Sequence, residues 1–258
     1  MTSFGYNILG FGTNANAGEA IVTSGLILRY DAGNSSSYPG SGTTWSNLAS
    51  SSFDGTLTNG PTFSSDDGGS IVFDGSNDYV TSNDPLDAGD NSLTGGFYCE
   101  SGVTFSASAW FKPDDSGWYG AIFGKSGGTG SQATFVVWYD HRYYQYFGDN
   151  YANLRCRFRG TQTTLNNGNL TAAWHEVAIT WDGSTAKAYL NGSSIDDDVN
   201  VGSRGKQVYD FKVGATSGGS GTQRYWKGNI AEVKVYNDAL TATEVLQNYD
   251  ALKGRFGL

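Results

Sequence analysis

The sequence contains few cysteines, histidines and methionines: two, two and one among 258 residues. Cys99 and Cys156 cannot form a disulfide framework, and their strand-like neighbours favour buried free thiols over a single bridge. The only histidines are His141 and His175. Zinc-ligand spacings, a nucleophile elbow and a phosphate loop are all missing from the sequence. The sequence therefore offers no motif for these kinds of chemistry.

Basic residues and long apolar runs are also scarce. The chain has 16 Lys and Arg against 25 Asp and Glu, for a net charge of −9. Nucleic-acid binding needs a surplus of positive charge, so we expect no nucleic-acid partner. Apolar runs stay well below the roughly 18 residues of a membrane span, which argues against a membrane partner. The N-terminus also lacks the basic region of a secretory signal.

Turn-forming residues are abundant instead. The chain has 37 glycines, and its acidic residues are nearly all Asp, with only five Glu. Short apolar segments alternate with runs of Ser, Thr, Asn and Asp, which is typical of strands joined by turns. In Val103–Phe111 the apolar residues alternate strictly, as expected for one face of a strand. Regular short strands without helices between them predict one sandwich or jelly-roll domain over residues 23–258.

A hairpin is predicted for WHEVAITWDGSTAKAYLNG, which spans Trp174–Gly192. Asp182-Gly183 has the composition of a tight hairpin turn, and Asn191-Gly192 marks a second turn. We therefore expect two antiparallel strands here, followed by a further reversal of the chain.

A single short helix is predicted after the last strand, in GNIAEVKVYNDALTATEV and the residues that follow. Thr241 and Glu244 have the spacing of a capping box. Val245, Leu246, Tyr249 and Leu252 fall on one face of this helix.

Four segments together resemble the laminin-G-like, concanavalin A-like jelly-roll family over Ser24–Leu252. They are GLILRYDAGNSSSYPGSGTTWSNL, FDGSNDYV, the Trp174 hairpin and the ending with the helix cap. The resemblance implies an all-β, two-sheet antiparallel jelly-roll sandwich with one short C-terminal helix. It also implies glycan or protein binding rather than catalysis, and in some members a structural calcium ion.

The opening residues and the closing YDALKGRFGL resemble laminin-G-like proteins encoded by tailed, especially aquatic, bacteriophages. This resemblance implies a virion structural protein, located in the extracellular particle as a capsid decoration or a tail or fibre appendage.

Catalysis is not expected. Some jelly rolls of this architecture hydrolyse polysaccharides with paired carboxylates on one strand, and retaining chemistry needs them about 5 Å apart. The corresponding E-x-D-x-x-E pattern is missing from this sequence. His175 stands at the start of a strand, where we predict a structural role, and Asp196–Asp198 reads as a solvated loop.

Asp74, Asn77 and Asp78 in FDGSNDYV could coordinate Ca²⁺ together with backbone carbonyls, because calcium prefers oxygen ligands. Glu232, on the final strand, is a candidate additional ligand. In the alternative interpretation, Asp and Asn only stabilise a turn by bonding their own backbone.

A dense aromatic segment, WYDHRYYQYFGDNY at Trp138–Tyr151, is the least family-like part of the chain. Aromatic faces beside polar groups suit sugar rings or a protein partner, although alternate aromatics could also fill the core. The candidate ligand-binding residues are Trp118, Tyr119, Trp138, Arg142, Tyr143, Tyr144 and Tyr146.

The next segment, LRCRFR at Leu154–Arg159, places three arginines opposite three apolar residues. Arg155, Arg157 and Arg159 could bind an acidic glycan or partner through bidentate hydrogen bonds. More often, neighbouring Asp and Glu neutralise such a stripe.

Residues 1–22 form an aromatic, Gly- and Asn-rich arm whose exposed apolar side chains would be costly if left uncovered. On the first hypothesis this arm anchors a virion protein to other virion proteins or to copies of itself. The anchor residues would be Phe4, Tyr6, Ile8, Leu9 and Phe11. The second hypothesis is a carbohydrate-binding adhesin that recognises host polysaccharide, and both hypotheses can hold together.

Overall fold

The computed structural model describes residues 20–82, 102–114, 119–126, 133–140, 153–166, 170–202, 209–216 and 224–258. Within these ranges the chain forms sixteen strands and one α-helix. In chain order the strands are β1 Leu26–Asp31, β2 Thr44–Trp45, β3 Gly55–Thr58, β4 Thr62–Ser64, β5 Ser70–Asp74, β6 Tyr79–Ser82, β7 Phe105–Pro113, β8 Tyr119–Ser126, β9 Ala133–Asp140, β10 Asn153–Phe158, β11 Thr161–Asn166, β12 His175–Trp181, β13 Ala186–Leu190, β14 Ser193–Val199, β15 Phe211–Val213 and β16 Lys227–Tyr236. The helix, α1, spans Ala242–Lys253, and a short 3₁₀ turn at Gly254–Phe256 follows it.

The strands form two antiparallel sheets. The first sheet has the order β14-β13-β12-β7-β16-β5-β4, and β1 also pairs with β16. The second sheet has the order β11-β10-β9-β8-β15-β6-β3-β2. The predicted two-sheet antiparallel sandwich with one short C-terminal helix is therefore confirmed. Among the described residues, no helix is both long enough and apolar enough to cross a membrane.

The main core lies between the sheets and follows from the period-two pattern of the strands. On β7, Phe105, Ala107, Ala109 and Phe111 all lie in this core, as the alternation in Val103–Phe111 predicts. Strand β10 behaves in the same way, because Leu154, Cys156 and Phe158 are fully buried. Cys156 is a free buried thiol, as predicted, whereas Cys99 lies outside the described residues.

The predicted hairpin is confirmed as β12 and β13, which pair from Val177↔Leu190 to Trp181↔Ala186. The Asp182 carboxylate closes the turn by accepting hydrogen bonds from the backbone nitrogens of Ser184 at 2.8 Å and Thr185 at 2.7 Å.

The second predicted turn joins β13 to β14. Asn191 and Gly192 both have positive φ angles, of 50° and 74°. A two-residue hairpin turn with both central residues left-handed is favoured by the Asn-Gly dipeptide.

The helix begins where predicted. The Thr241 side chain accepts from the backbone of Glu244, and the Glu244 side chain accepts from the backbone of Thr241, which completes the capping box. On the apolar face named from the sequence, Val245 is buried, whereas Leu246 is 44% exposed. Asn248 is buried beside Val245 instead, because these two residues face the outer side of the first sheet.

The far end of the helix is held by aromatic stacking on the same outer face. Trp110 of β7 stacks on Tyr249 with ring centroids 5.4 Å apart, and on Phe256 with centroids 4.4 Å apart. The helix therefore covers the side of the first sheet that faces away from the main core.

Candidate functional site

The outer face of the second sheet carries the described part of the predicted aromatic segment. Trp138 on β9 lies opposite Ala121 on β8 and Arg155 on β10. Its neighbours along β9, Val137 and Tyr139, belong to the core. Since side chains alternate along a strand, Trp138 points away from the core.

Four residues on this face form a continuous row of contacts between rings and guanidinium groups. The rings of Tyr119 and Trp138 meet edge to face, with centroids 6.1 Å apart. The guanidinium carbon of Arg157 lies 5.3 Å from the centre of the Trp138 ring, and that of Arg224 lies 4.6 Å from the centre of the Tyr119 ring. Both distances are within the range of cation–π attraction. We call Tyr119, Trp138, Arg157 and Arg224 the Trp138 surface.

Exposure differs within the Trp138 surface. Trp138 is only 3% exposed, whereas Tyr119, Arg157 and Arg224 are partly exposed. A ligand approaching from solvent would therefore meet Tyr119 and the two guanidinium groups before it met the Trp138 ring. Trp138 serves as the base on which Arg157 is held.

The three arginines of LRCRFR, which were predicted to share one face, have different surroundings. Arg155 forms an ion pair with Asp140 at 3.3 Å, as the interpretation of internal neutralisation predicts. Arg157 donates from Nη2 to Oε1 of Gln162 at 3.1 Å while lying over Trp138. Arg159 follows the end of β10 and has a φ of 45°, so the prediction of one continuous stripe of three arginines is wrong at this residue.

Several predicted ligand-binding residues cannot be placed on this surface. Trp118, Arg142, Tyr143, Tyr144 and Tyr146 lie outside the described residues. The same holds for the five predicted anchor residues of the N-terminal arm, Phe4, Tyr6, Ile8, Leu9 and Phe11.

The predicted calcium turn connects β5 of the first sheet to β6 of the second. Asp78 is buried and accepts a hydrogen bond from the backbone nitrogen of Asp74 at 3.1 Å. The Asp74 carboxylate accepts one from the backbone nitrogen of Ser76 at 2.7 Å. Burial raises the pKa of Asp78 above its ordinary value. These bonds are those of the turn interpretation, and calcium binding stays a prediction.

Glu232, the predicted additional calcium ligand, has cationic partners. Its Oε2 lies 2.5 Å from Nζ of Lys234, and its Oε1 accepts from Nε of Arg29 at 2.8 Å. Within the described part of the chain, no three His, Cys, Asp or Glu side chains come together as a metal site. The structure therefore does not bring Glu232 together with Asp74 and Asp78.

His175 has the surroundings of a structural residue. Its Nε2 lies 3.3 Å from the carbonyl oxygen of Thr171, and its Nδ1 lies 3.3 Å from Nδ2 of Asn191. Burial lowers its pKa, and the hydrogen bond to Thr171 opposes that shift. These contacts hold the start of β12 beside the turn that ends β13.

Sequence reasoning missed Glu176, whose carboxylate lies 3.4 Å from Nζ of Lys234. Glu176, Glu232 and Lys234 are all at most 1% exposed, so two buried carboxylates share one ammonium group. The signal was present in the alternation of β12, because Val177 and Ile179 belong to the core and Glu176 therefore points to the other face.

Comparison with known families identifies the superfamily to which this chain belongs. A sequence profile of the concanavalin A-like lectin/glucanases superfamily matches residues 74–246. The chain belongs to this superfamily, as the sequence resemblance implied. A search of curated proteins finds no significant match.

Solved structures agree with this assignment. Domain 4 of AbnA, an extracellular arabinanase from Geobacillus stearothermophilus, is 17% identical with a TM-score of 0.57; the match covers 87% of this chain and 98% of that one. Trypanosoma rangeli sialidase is 14% identical with a TM-score of 0.65; the match covers 92% of this chain but only 34% of the sialidase. At such identities the likeness establishes the fold alone.

Proposed function

We propose that this chain is a non-catalytic carbohydrate-binding module that holds its ligand on the Trp138 surface. The observation that carries the proposal is the row of contacts formed by Arg157, Trp138, Tyr119 and Arg224 on one sheet face. A sugar ring presents apolar C–H faces with hydroxyl groups at its edge. Tyrosine offers an apolar ring with a polar tip, and a guanidinium group offers several donors in a fixed plane.

Structural neighbours support the same function. The arabinanase domain, 98% of which is matched, is described in complex with arabinotriose. A Trypanosoma rangeli sialidase structure is described in complex with sialic acid, and the match covers 34% of that chain. The superfamily itself takes its name from lectins and glucanases. Sugar binding is therefore a function that this architecture accommodates.

The burial of one pair of carboxylates supports the non-catalytic part of the proposal. Glu176 and Glu232 flank Lys234 under the C-terminal helix and are at most 1% exposed. Carboxylates that cleave a glycoside must contact the substrate. Buried and bonded to Lys234, this pair supports a structural role.

A virion is the setting that the resemblance to phage-encoded proteins suggests for this module. On this part of the proposal, residues 1–22 bind other virion proteins or copies of the same chain, and the domain attaches the particle to host polysaccharide. Deletion of residues 1–19 tests it, because Val22 is buried and bonded to Asn248 and Tyr236 and therefore has to stay in the truncated protein. Incorporation of the truncated protein into particles at the normal level would contradict the anchor.

A glycan array followed by titration tests the main proposal. We expect the full chain to bind at least one neutral or acidic oligosaccharide, and Tyr119→Ala to weaken that binding about tenfold. Arg157→Lys keeps the charge but loses the planar group over Trp138, so we expect an intermediate loss.

Lys187→Met is the matched control, because Lys187 lies on β13 of the other sheet. It should leave affinity unchanged, and thermal unfolding of each variant separates lost binding from lost folding. An array on which neither neutral nor acidic glycans bind would overturn the proposal.

A further inference from the structure

A groove lies away from the Trp138 surface, at the edge of the first sheet formed by β4. Two loops line it, at residues 32–40 and 63–69, and its volume is about 310 Å³. Pockets for small ligands begin at about 300 Å³. Both loops lie wholly within the described part of the chain. We call this the Tyr38–Phe63 groove.

One wall of the groove is aromatic. The rings of Tyr38 and Phe63 lie 5.7 Å apart at an angle of 44°. Tyr38 is buried, and its hydroxyl donates to the carbonyl oxygen of Gly42 at 2.9 Å. Phe63 is partly exposed, and Pro39, which follows Tyr38 in the chain and also lines the groove, is exposed. The wall therefore presents apolar surface to solvent, with Tyr38 fixed behind it.

Hydroxyl groups complete the lining. Ser35 and Ser65 are both exposed and both line the groove. Ser65 directly precedes a 3₁₀ turn at Asp66–Gly68, but its side chain does not cap that turn. A hydroxyl group both donates and accepts, so the two serines match the hydroxyls of a sugar.

The groove is built before any ligand arrives. The backbone nitrogen of Gly33 donates to Oδ1 of Asp31 at 2.9 Å, and Arg255 donates to the same oxygen at 2.7 Å. Arg255 also donates to the carbonyl oxygen of Gly69 at 2.6 Å, which ties the second loop to the first. Because these loops are already held in place, ligand binding does not have to order them, which lowers its cost in conformational entropy.

Glycine brings the two loops into contact. A Cβ atom at Gly33 would lie 2.1 Å from the carbonyl oxygen of Gly68, and one at Gly69 would lie 2.8 Å from Cα of Gly33. A larger residue at either position would push the loops apart. The width of the groove is thus set by backbone contact.

We propose that the Tyr38–Phe63 groove binds one ring of an uncharged sugar, an inference that rests on the proposed carbohydrate-binding function. Every residue that lines the groove is uncharged. Arg255, which packs against Gly33 and Gly68, is paired with Asp31, and the exposed residues between Ser65 and Gly68 are the acidic Asp66 and Asp67. An acidic sugar would find no cation here, whereas an apolar ring face with hydroxyls at its rim matches both parts of the lining.

Saturation-transfer NMR on the full chain tests the groove. The probes are maltotriose, cellotriose, xylotriose and any neutral hit of the glycan array, with trigalacturonate as the acidic comparison. Ser35→Trp should fill the groove without removing a fold contact and weaken neutral-sugar binding about tenfold. Ser36→Trp is the matched control, because Ser36 is also exposed but does not line the groove. It should bind like the unmodified chain.

A second pair of variants checks the aromatic wall. Phe63→Ala should weaken neutral-sugar binding to a similar degree, while Phe63→Tyr keeps the ring and should retain binding. Thermal unfolding confirms that both variants are folded.

The outcomes separate the two proposals. Neutral-sugar binding that is lost in Tyr119→Ala but kept in Ser35→Trp and Phe63→Ala would overturn the groove and leave the proposed function standing. Binding restricted to acidic probes would do the same. A chain that binds no probe at all overturns both.

Discussion

Asn248 of the C-terminal helix donates a hydrogen bond from Nδ2 to the hydroxyl oxygen of Tyr236, 3.1 Å away. The hydroxyl of Tyr236 in turn donates to the carbonyl oxygen of Val22 at 3.1 Å. The backbone nitrogen of Val22 donates to Oδ1 of Asn248 at 2.8 Å, which closes a ring of three bonds. All three residues are buried, so one amide side chain joins the helix, β16 and the segment that leads into β1.

Replacing Asn248 should therefore destabilise the fold although the helix keeps its length. Asn248→Leu leaves the Val22 nitrogen buried without its acceptor, and we expect a loss of about 2–3 kcal/mol in the free energy of unfolding. Urea denaturation measures it. Thr243→Ala, at an exposed position of the same helix, is the control and should change stability by less than about 0.5 kcal/mol. A similarly small change for Asn248→Leu would contradict the role of the ring.

Stability should depend on pH through Glu176. Burial raises the pKa of this carboxyl from 4.5 to about 7, and the ammonium of Lys234 opposes the shift. Burial alone would lower the pKa of Lys234, but the carboxylates of Glu232 and Glu176 outweigh it and raise the value. Lys234 therefore stays charged, and Glu176 keeps its proton to a higher pH than an ordinary glutamate.

The sign of the effect follows from linkage. The folded state binds the Glu176 proton more tightly than the unfolded state does. Its contribution to the free energy of unfolding is therefore fully present below pH 4.5 and is lost as the pH rises to about 7. We expect the free energy of unfolding to fall by up to about 3 kcal/mol across this window from this group alone.

Glu176→Gln mimics the protonated form, so its stability should change less between pH 5 and pH 8, in a urea series at each pH, than that of the unmodified chain. Asp198→Asn, at an exposed position of β14, should keep the original pH profile. Parallel profiles for the unmodified chain and Glu176→Gln would show that Glu176 does not titrate in this range.

The capping box gives a smaller, local prediction. Thr241→Ala removes the side-chain acceptor for the Glu244 nitrogen and should cost about 1 kcal/mol of stability. Thr241→Ser keeps a hydroxyl at the same position and should restore most of that loss. Thermal unfolding of the two variants measures the difference, and equal losses would rule out the hydroxyl as the cause.

Calcium at the β5–β6 turn has a direct test in thermal unfolding. If Asp74, Asn77 and Asp78 form a calcium site, Ca²⁺ at about 100 times its dissociation constant should raise the free energy of unfolding by about 2.7 kcal/mol. A chelator should remove this gain. Asp74→Asn should reduce the response. An identical melting temperature with Ca²⁺ and with chelator would leave the turn interpretation alone.

Local patterns made much of the fold predictable. The Asp182-Gly183 turn, the Thr241 capping box and the alternation of β7 each depend on residues close in sequence, whose geometry is set by backbone chemistry. The exposure of Leu246 was not predictable in this way, because helical spacing alone does not reveal which residue faces the sheet. Asn248 is polar, and only the contacts with Tyr236 and Val22 explain its burial.

The candidate sites were predicted less well, because they join distant parts of the chain. The sequence identified Trp138 and Tyr119 as candidate ligand-binding aromatics. It did not predict that Arg157 lies over Trp138, because that contact depends on the pairing of β9 with β10. The Tyr38–Phe63 groove gave no sequence signal, since its serines and glycines read as ordinary turns. Its walls are also joined by Arg255, far away in the sequence, which bonds both Asp31 and Gly69.

The position of β16 has a consequence for synthesis on the ribosome. This last strand lies inside the first sheet, with β7 on one side and β1 and β5 on the other. Until residues 227–236 have been translated, β1, β4 and β5 have no partner that joins them to β7, so the nascent chain exposes unpaired strand edges. Such edges favour aggregation in incompletely folded chains. Ribosomes stalled before codon 227 should therefore carry chains that chaperones bind and proteases cleave, and the sandwich closes only when the final strand emerges.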